Sequence, residues 1–572
     1  MKKNKKILNI LTMGTIVSLA FTPLLAISCN KVEDKKNDEE AINKLVNEKI
    51  QKIKEEENKL KLEQENAKNT EIANKTVSKY WDKFLNENHG RWSGNKTNFN
   101  DVNTGNDGIQ NIGTNGEITD ADLIKKAKFN LDTKIEENVD TYGSFHAYLW
   151  LKKELTDLGY KNNTEVVKYP AQAQLQEATG ERAANASKTY VAAKGTKSLT
   201  KNLVVREDQT DVQSKLNEDG FVTQGFLWHG KDAPQRLGKT YNNFGTNIIV
   251  TINPDKEKFK DVEGIKDLYI TSHYDSTGYA EHGQGGDVIK GRSSWGATDN
   301  ATGVAITLAM LKHYSNPENR KNLGVRLHIV FADAEEMGVY GTTAFVNSFV
   351  EKSDNVIGAI NLDTVSGGDH VYVHSRGAFG TTFGDQVNPG QTAIRDQIIA
   401  ISQRRAELLN DLSQALEIHP SLQNSEEFEP ITVGGTGDWS DHEPFHQKGI
   451  RTAYFESTNF DILSKYEVFD GYAQVKDDFA WIDKNGNKVK LVKQSINGGV
   501  LEKWVLPEGM KMSDIKLAGD IWHSDFDTPQ FMKEHYGNRV YKQLDTIFES
   551  ITEYIRSVYS FDEKTKTISY ID

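Results

Sequence analysis

The chain has 572 residues, more than one ordinary domain needs, and it leaves room for a large buried core. Its 82 acidic residues outnumber its 69 basic residues, which gives a formal net charge of −13 and argues against nucleic acid or an anionic lipid surface as partner. The single cysteine, Cys29, excludes disulfide bonds within the chain and a zinc site built from thiolates.

The first residues have the pattern of a secretion signal. Residues 1–6 include four lysines, residues 7–27 are mostly apolar, and small residues lead into Cys29. Once its threonine, serine and proline are discounted, the apolar run is short for a membrane helix. A cysteine at this point resembles a bacterial lipobox, so we expect a signal peptide over residues 1–28 and lipidation of Cys29, the alternative being a plain signal peptide. Several acyl chains anchor a protein stably, which places it at the extracellular face of the bacterial cell membrane.

Residues 29–125 are predicted to form a helical or disordered tether and a linker. Residues 31–83 are rich in lysine, glutamate, asparagine and glutamine, and residues 86–116 are rich in asparagine and glycine. A stripe of apolar residues at helical spacing would allow a short coiled coil, and a solvated, partly helical tether is the alternative. The folded domain is expected from residue 126 to residue 572.

Strands and helices alternate through most of that domain. A helix is predicted near residues 144–158, and residues 161–243, which carry no recognisable chemistry, are predicted to be an insertion or a small lid domain. From Thr246 onward, β-rich segments are predicted over residues 246–252, 268–271, 325–331 and 356–362. Helical spacing lies between them, as it does over residues 391–416 and 529–558. This alternation predicts an α/β fold with three α/β/α layers around a mixed, largely parallel sheet.

A second insertion is predicted over residues 458–518. It contains an Asn-Gly pair within residues 483–490, which indicates a hairpin.

Five short motifs carry residues of the kind that bind zinc. They contain His273 and Asp275, Asp299, Glu335 and Glu336, Asp363, and His523. Three of the motifs directly follow predicted strands, and ligands of open α/β sheets bind at the carboxyl ends of strands, so we expect them to converge. Zinc takes imidazole nitrogen and carboxylate oxygen, and a site for two ions needs a bridging carboxylate. Asp299, at the start of a helix among small residues, suits that position.

The motifs resemble, in order, those of the zinc-dependent exopeptidases that include the bacterial double-zinc aminopeptidases, glutamate carboxypeptidase II and the glutaminyl cyclases. The shared patterns are His-x-Asp, Gly-Ala-x-Asp-Asn, Glu-Glu-x-Gly, Asn-x-Asp and His-[Ser/Thr]-x-x-Asp-Thr. The resemblance covers the chain from about Thr246 to its end, plus the helix before Gly159, and it implies a phosphorylase/hydrolase-like fold.

The resemblance also implies the role of each site residue. His273 and Asp363 would bind one zinc ion, Glu336 and His523 would bind a second, and Asp299 would bridge them. Glu335 would be the general base and acid. Asp275 would support the ligand shell from behind His273.

One histidine competes with His523 for the last ligand position. His442 lies in Ser-Asp-His-Glu-Pro-Phe, and on residue chemistry alone either histidine could serve. The resemblance selects His523, and we expect His442 to contact the substrate or the oxyanion.

The implied activity is that of a surface-anchored peptidase that removes N-terminal residues from peptide or protein substrates. A glutaminyl cyclase-like aminoacyltransferase and a non-catalytic surface-binding lipoprotein are the alternatives. The asparagine after Asp299 and the compact segment over residues 336–341 resemble the peptidases.

Overall fold

The structure is a computed structural model. It describes residues 51, 52, 54, 59, 70–88, 91, 143–164, 166–170, 174–176, 189–191, 194–200, 202–231, 240–277, 294–351, 354–375, 389–418, 440–462, 473–496, 499, 501–524 and 526–571. The predicted signal peptide and Cys29 lie outside these ranges. The chain divides into two compact units, residues 1–71 and residues 72–572, and every candidate ligand lies in the second. Among the described residues, no helix has both the length and the apolar run that crossing a membrane requires.

The described α-helices are, in chain order, α1 (Thr76–Glu87), α2 (Gly143–Asp157), α3 (Thr210–Gln213), α4 (Ala301–Ser315), α5 (Pro317–Arg320), α6 (Tyr340–Phe349), α7 (Ala393–Leu409), α8 (Glu443–Gln447), α9 (Pro529–Tyr536) and α10 (Arg539–Ser557). The single helix predicted at the C-terminal end of the chain is therefore two helices. They are separated at Gly537, whose φ of 54° is outside the helical region.

The described strands are β1 (Gln174–Gln176), β2 (Thr189–Val191), β3 (Thr196–Ser198), β4 (Leu203–Arg206), β5 (Gly220–Lys231), β6 (Thr240–Ile252), β7 (Asp267–His273), β8 (Arg326–Ala332), β9 (Val356–Leu362), β10 (His370–His374), β11 (Glu417–Ile418), β12 (Thr452–Thr458), β13 (Trp481–Asp483), β14 (Val492–Ile496), β15 (Leu501–Val505), β16 (Ile515–Ala518), β17 (Tyr559–Asp562) and β18 (Thr567–Tyr570).

One ten-stranded sheet organises the fold, in the order β11-β10-β12-β9-β7-β8-β6-β5-β4-β3. Its four central strands, β12, β9, β7 and β8, are parallel to one another. The strands from β6 to β3 continue the sheet in antiparallel pairs, and on the other side β10 is antiparallel to β12. The sheet is mixed, as predicted, and its parallel part is the centre.

Helices cover both faces of this sheet. Ile248 and Val250 of β6 belong to the large core that includes α1, α2, α4, α7 and α10, whereas Ile249 between them packs with residues of α6 and α8. Successive side chains of a strand point to opposite faces. The predicted three-layer α/β/α architecture is confirmed.

The segment predicted as an insertion or lid, residues 161–243, contributes strands β3, β4 and β5 and the start of β6 to the central sheet. Strands β5 and β6 pair from Gly220↔Thr251 to Lys231↔Thr240. Because residues 220–228 are buried without interruption, the segment lacks the alternation that marks a half-buried strand.

The second predicted insertion, residues 458–518, forms two small antiparallel pairs, β13 with β16 and β14 with β15. A tight turn lies at the Asn-Gly pair, where the Gly486 amide donates to the Asp483 carbonyl at 3.0 Å. The predicted hairpin is short: an antiparallel bridge joins Ile482 and Lys488 beside this turn, and the strand that pairs along β13 is β16.

Helix α1 lies inside the range predicted as tether, yet it packs in the main core. Val77, Trp81, Phe84 and Leu85 are buried there, and Trp81 Nε1 donates to the Ala297 carbonyl at 2.7 Å. These four positions follow helical spacing, and the lysine- and asparagine-rich composition around them conceals it. The folded unit therefore begins well before residue 126.

Replacing Phe84 by alanine is expected to lower the free energy of unfolding by about 3–5 kcal/mol, because the side chain is fully buried and would leave a cavity. Urea unfolding measures the change. Lys79→Ala, at an exposed position of the same helix, is the matched control and should change stability by about 0.5 kcal/mol or less. Equal small effects at both positions would contradict the packing of α1.

Candidate metal centre

The predicted motifs meet at the carboxyl ends of the central parallel strands. His273 is the last residue of β7 and is in register with Ala332 of β8, which leads to Glu335 and Glu336. Asp363 directly follows β9. The carboxyl ends of parallel neighbours share one edge of a sheet, so the strands alone bring these side chains together.

Two ligand groups share one carboxylate. In the first, His273 Nε2 lies 3.0 Å from Asp363 Oδ1 and 3.1 Å from Asp299 Oδ1. In the second, His523 Nε2 lies 2.9 Å from Asp299 Oδ2 and 3.1 Å from Glu336 Oε2. Each group has the donor types and the spacing that could hold a metal ion. Asp299 offers a different oxygen to each group, which is the arrangement of a bridging ligand.

The start of α4 fixes the position of Asp299. Asn300 caps the helix by accepting from the Gly303 amide at 2.9 Å, and its Nδ2 donates to the Leu362 carbonyl at 2.7 Å. A Cβ at Gly303 would lie 2.4 Å from that same carbonyl oxygen, so a side chain would push α4 away from β9. The helix start is thereby tied to the strand end that carries Asp363.

Buried carboxylates and a hydroxyl hold the ligands from behind. Asp527 accepts from the Thr298 amide at 2.6 Å and from the Asp299 amide at 3.2 Å. Asp275 Oδ1 accepts from the Glu335 amide at 3.2 Å and lies 3.4 Å from His273 Nδ1. Such partners orient metal-binding imidazoles and carboxylates. On the far side, Ser440 Oγ donates to Asp363 Oδ2 at 2.6 Å.

Neighbouring carboxylates raise the pKa of both candidate histidine ligands. Burial lowers the pKa of His273, but the carboxylates of Asp363 and Glu335 outweigh it and hold the pKa well above its usual value. For His523, desolvation lowers the pKa, but the charges of Glu336 and Asp299 outweigh it and hold the pKa well above its usual value. A divalent cation bound by the same carboxylates would compete with protons for the histidine nitrogens.

The acids respond in two ways. Burial raises the pKa of Asp299, but hydrogen bonds from His273 and His523 outweigh it and leave the pKa below its usual value. Burial raises the pKa of Glu336 to about 7, and the charge of Asp299 adds to this. Buried Glu336 Oε1 has no hydrogen-bond partner among the described residues, so an acceptor there is available to a cation.

Glu335 lies beside the two ligand groups and belongs to neither within the described chain. Its Oε2 is 4.0 Å from His273 Nε2. Burial raises the pKa of Glu335 well above its usual value, and the charges of Asp363, Asp441 and Glu336 raise it further against the opposing His273. A carboxyl with a raised pKa is a suitable proton carrier near neutral pH.

The structure places His523, and not His442, against Asp299 and Glu336. The side chain of His523 is half exposed, whereas His442 is buried and stacks on Tyr454 with ring centroids 4.7 Å apart. Burial raises the pKa of Tyr454 well above its usual value, and Glu456 adds to this.

Several residues of the site were missed from sequence. Asp527 and Asp441 stand inside motifs that were noticed for their histidines, and the local signal was their place in those motifs. Burial raises the pKa of Asp527 and of Asp441 to about 7. Arg91, whose guanidinium donates to the carbonyls of Tyr274 and Gly296 beside the ligands, lies in the range predicted as linker, and no sequence signal marked it.

Non-glycine residues with a left-handed backbone gather at the site. Ala334 (φ 59°) precedes Glu335, Thr364 (φ 48°) follows Asp363, and His523 itself has φ 55°. Such residues are uncommon and cluster where a fold must aim a side chain.

Comparison with known proteins gives a family and several relatives. The sequence profile described as Peptidase family M28 matches residues 247–535. A vacuolar membrane protease from Sclerotinia sclerotiorum is 29% identical over 163 residues, which cover 26% of this chain and 14% of that protein. Aminopeptidase YwaD from Bacillus subtilis is 26% identical over 262 residues, which cover 45% of this chain and 44% of that protein.

Among solved structures, BSAP, a zinc aminopeptidase from Bacillus subtilis, has a TM-score of 0.29 and 19% identity, with 55% of this chain and 52% of that chain covered. The chain spans less than half the length of the vacuolar membrane protease and of aminopeptidase YwaD. All the candidate ligands lie inside the segment that the family profile matches.

Proposed function

Because the chain belongs to peptidase family M28, we propose that it is a zinc-dependent aminopeptidase that hydrolyses the first peptide bond of its substrates. Family membership confirms the resemblance stated from the motifs. The observation that carries the proposal is the double use of Asp299, whose two oxygens face different histidines at 3.1 and 2.9 Å. An isolated zinc site needs no shared carboxylate.

Two zinc ions per chain fit this donor set. His273, Asp363 and one oxygen of Asp299 would hold the first ion, and His523, Glu336 and the other oxygen would hold the second. When bound, zinc lowers the pKa of a coordinated water to about 7 and polarises a carbonyl group. The buried acceptor at Glu336 and the cationic histidines support this assignment, because a divalent cation would replace the protons of the metal-free site.

Glu335 would move the proton. It is beside both ligand groups, its backbone amide is held by Asp275, and its pKa is raised by burial. We assign it the role of accepting a proton from the attacking water and delivering it to the leaving amine. Asp275 would keep both His273 and the Glu335 backbone in place.

The proposed location is the extracellular face of the bacterial cell membrane, with a lipid on Cys29. The charged start, the apolar run and the position of the only cysteine support this. Detergent partitioning of the full chain expressed in a bacterium tests it: Cys29→Ala should move the protein from the detergent phase to the aqueous phase. Aqueous partitioning of the wild type would contradict the anchor.

The activity is tested with purified protein loaded with zinc and offered three substrate types. Aminoacyl-anilides should be cleaved, and peptides with a blocked amino terminus should not. Cleavage of blocked peptides alone would refute the aminopeptidase assignment. Cyclisation of peptides that begin with glutamine would favour a glutaminyl cyclase-like activity, and no turnover of any substrate would favour a binding role.

Zinc affinity is expected to fall by at least about tenfold for each pH unit below neutrality. The pKa of His273 and of His523 is raised in the metal-free site, and each must lose its proton to bind zinc, so binding releases protons and weakens as pH falls. The protonation of Glu336, whose pKa is raised to about 7, acts in the same direction. Competition with a chelator between pH 6 and pH 8 measures the affinity, and a pH-independent constant would contradict this account.

Replacing His442 by phenylalanine keeps a ring against Tyr454 but removes the imidazole that we expect to contact the substrate or the oxyanion, so kcat should fall. Both zinc ions should stay bound, because His442 belongs to neither ligand group. Metal analysis alongside kinetics checks this. Loss of one ion would show that His442 is a ligand.

A further inference from the structure

A buried arginine lies behind the metal centre and comes from the N-terminal segment. Arg91 is 1% exposed, and it follows α1, which packs in the main core. An arginine is almost never buried without partners. The partners of its guanidinium are backbone carbonyl groups, three of them in the two segments that carry ligands and one at Asn88.

The guanidinium binds four carbonyl groups. Its Nε donates to Tyr274 at 2.8 Å, and its terminal nitrogens donate to Asn88 at 2.9 Å, to Trp295 at 2.7 Å and to Gly296 at 3.0 Å. The Arg91 backbone joins the same region, because its amide donates to Ser276 Oγ at 3.2 Å and its carbonyl accepts from the Ser276 amide at 3.2 Å. One side chain thus connects residues 274–276 with residues 295–296.

These two segments carry ligands at short range. Tyr274 stands between His273 and Asp275, and Gly296 is three residues before Asp299. The distance between the segments therefore sets where His273 lies relative to Asp299, and that contact is 3.1 Å. A single guanidinium can fix the distance between the two segments, because it presents its donors in a rigid, planar fork.

The chain makes room for this side chain at Gly296. A Cβ there would lie 2.5 Å from the Arg91 terminal nitrogen and 2.3 Å from the Asp299 carbonyl oxygen, and the φ of 60° is left-handed. Gly296 therefore serves the arginine and the turn into Asp299 at once.

The charge of Arg91 suits its surroundings. Burial lowers its pKa to about 10, and the carboxylates of Asp527, Asp275 and Asp299 act against that reduction. The group remains cationic near neutral pH and faces the acidic side of the site, behind the ligands.

We propose that Arg91 is a positioning residue of the metal centre, which holds the segment of His273 and Asp275 at a fixed distance from the segment of Asp299. The consequence is that helix α1 and Arg91 are part of the catalytic unit, although they lie outside the part matched by the family profile. The inference rests on the proposed function for its kinetic readout, but its metal readout is independent of activity.

Arg91→Met and Arg91→Lys, in the full chain, test the proposal. Arg91→Met keeps the length but loses every donor, and it is expected to raise the zinc dissociation constant about 10–100-fold. It should lower kcat with a smaller change in KM, and it should alter the visible absorption spectrum of the cobalt-loaded protein. Arg91→Lys keeps the charge and one donor group, so its zinc dissociation constant, kcat and cobalt spectrum should lie between those of the wild type and those of Arg91→Met. If Arg91→Met does not fold by circular dichroism, Arg91→Lys decides alone.

Arg320→Met is the matched control. Arg320 also donates to a backbone carbonyl, that of Tyr314 at 2.7 Å, but it has no contact with the metal centre among its described bonds. Metal affinity, kcat and the cobalt spectrum should stay at wild-type values in this variant. Wild-type values in a folded Arg91→Lys and Arg91→Met would overturn the inference. If the wild-type protein binds zinc but has no peptidase activity, and the Arg91 variants still change the cobalt spectrum and the zinc affinity, the proposed function is refuted and the inference stands.

Discussion

Replacing Glu335 by glutamine is expected to reduce kcat by about 10²–10⁴-fold while the protein keeps both zinc ions. Glutamine preserves the shape of the side chain but cannot accept and return a proton. The residue lies outside both ligand groups, so the metal sites keep their donors. Stopped assays on an aminoacyl-anilide, with metal analysis of the same sample, measure the two quantities together.

The adjacent glutamate provides the comparison. Glu336 Oε2 lies 3.1 Å from His523 Nε2 within the second ligand group, so Glu336→Gln should lose one ion and its activity with it. Loss of zinc in Glu335→Gln, or an unchanged kcat, would show that the base and ligand roles of the pair are assigned incorrectly.

Replacing Asp299 by alanine is expected to remove both zinc ions and all measurable activity. Its two oxygens serve different groups, so one substitution takes a donor from each site. The change also removes the negative charge between two histidines whose pKa values are raised by neighbouring carboxylates. Metal analysis after dialysis against trace zinc measures the loss.

Asp363→Asn is the control for the bridging role. Asp363 belongs to the first group only, and it is held there by Ser440 at 2.6 Å. This variant should retain one ion, bound by Glu336 and His523 with Asp299. If Asp299→Ala also retained one ion, Asp299 would not be shared.

The grouping of the candidate ligands could be predicted because three of the five lie at the carboxyl ends of strands in one sheet. Strands β8 and β9 are the parallel neighbours of β7. His273 is the last residue of β7, Asp363 directly follows β9, and Glu336 lies on the segment after β8. The strands themselves follow from local runs of apolar and β-branched residues, and ligands of open α/β sheets bind at the carboxyl ends of strands, so the convergence of His273, Glu336 and Asp363 could be predicted from the sequence.

Other parts of the fold depend on contacts distant in sequence. The place of helix α1 in the core depends on distant partners, since Trp81 donates to Ala297, 216 residues away. Arg91 reaches Gly296 across a similar separation, and nothing in its own neighbourhood distinguishes it from a surface arginine. Residues 220–228 of strand β5 show no alternation, because both faces of this part of the strand are buried.

The backbone conformation of three site residues could not be predicted from the sequence either. Ala334 and Thr364 have left-handed backbones although alanine and threonine rarely adopt positive φ, and His523 has one although positive φ is uncommon for any residue other than glycine. They are held by the surrounding structure. His523 was therefore separable from His442 only by family resemblance until the contacts of each ring were known.

The most direct test is a zinc titration of protein whose metal has been removed with a chelator. The rate of aminoacyl-anilide hydrolysis is measured at each zinc-to-protein ratio. We predict that activity rises until two ions are bound per chain, because Asp299 joins two donor groups. Full activity at one ion per chain, or no hydrolysis with both ions bound, would contradict the shared-carboxylate aminopeptidase.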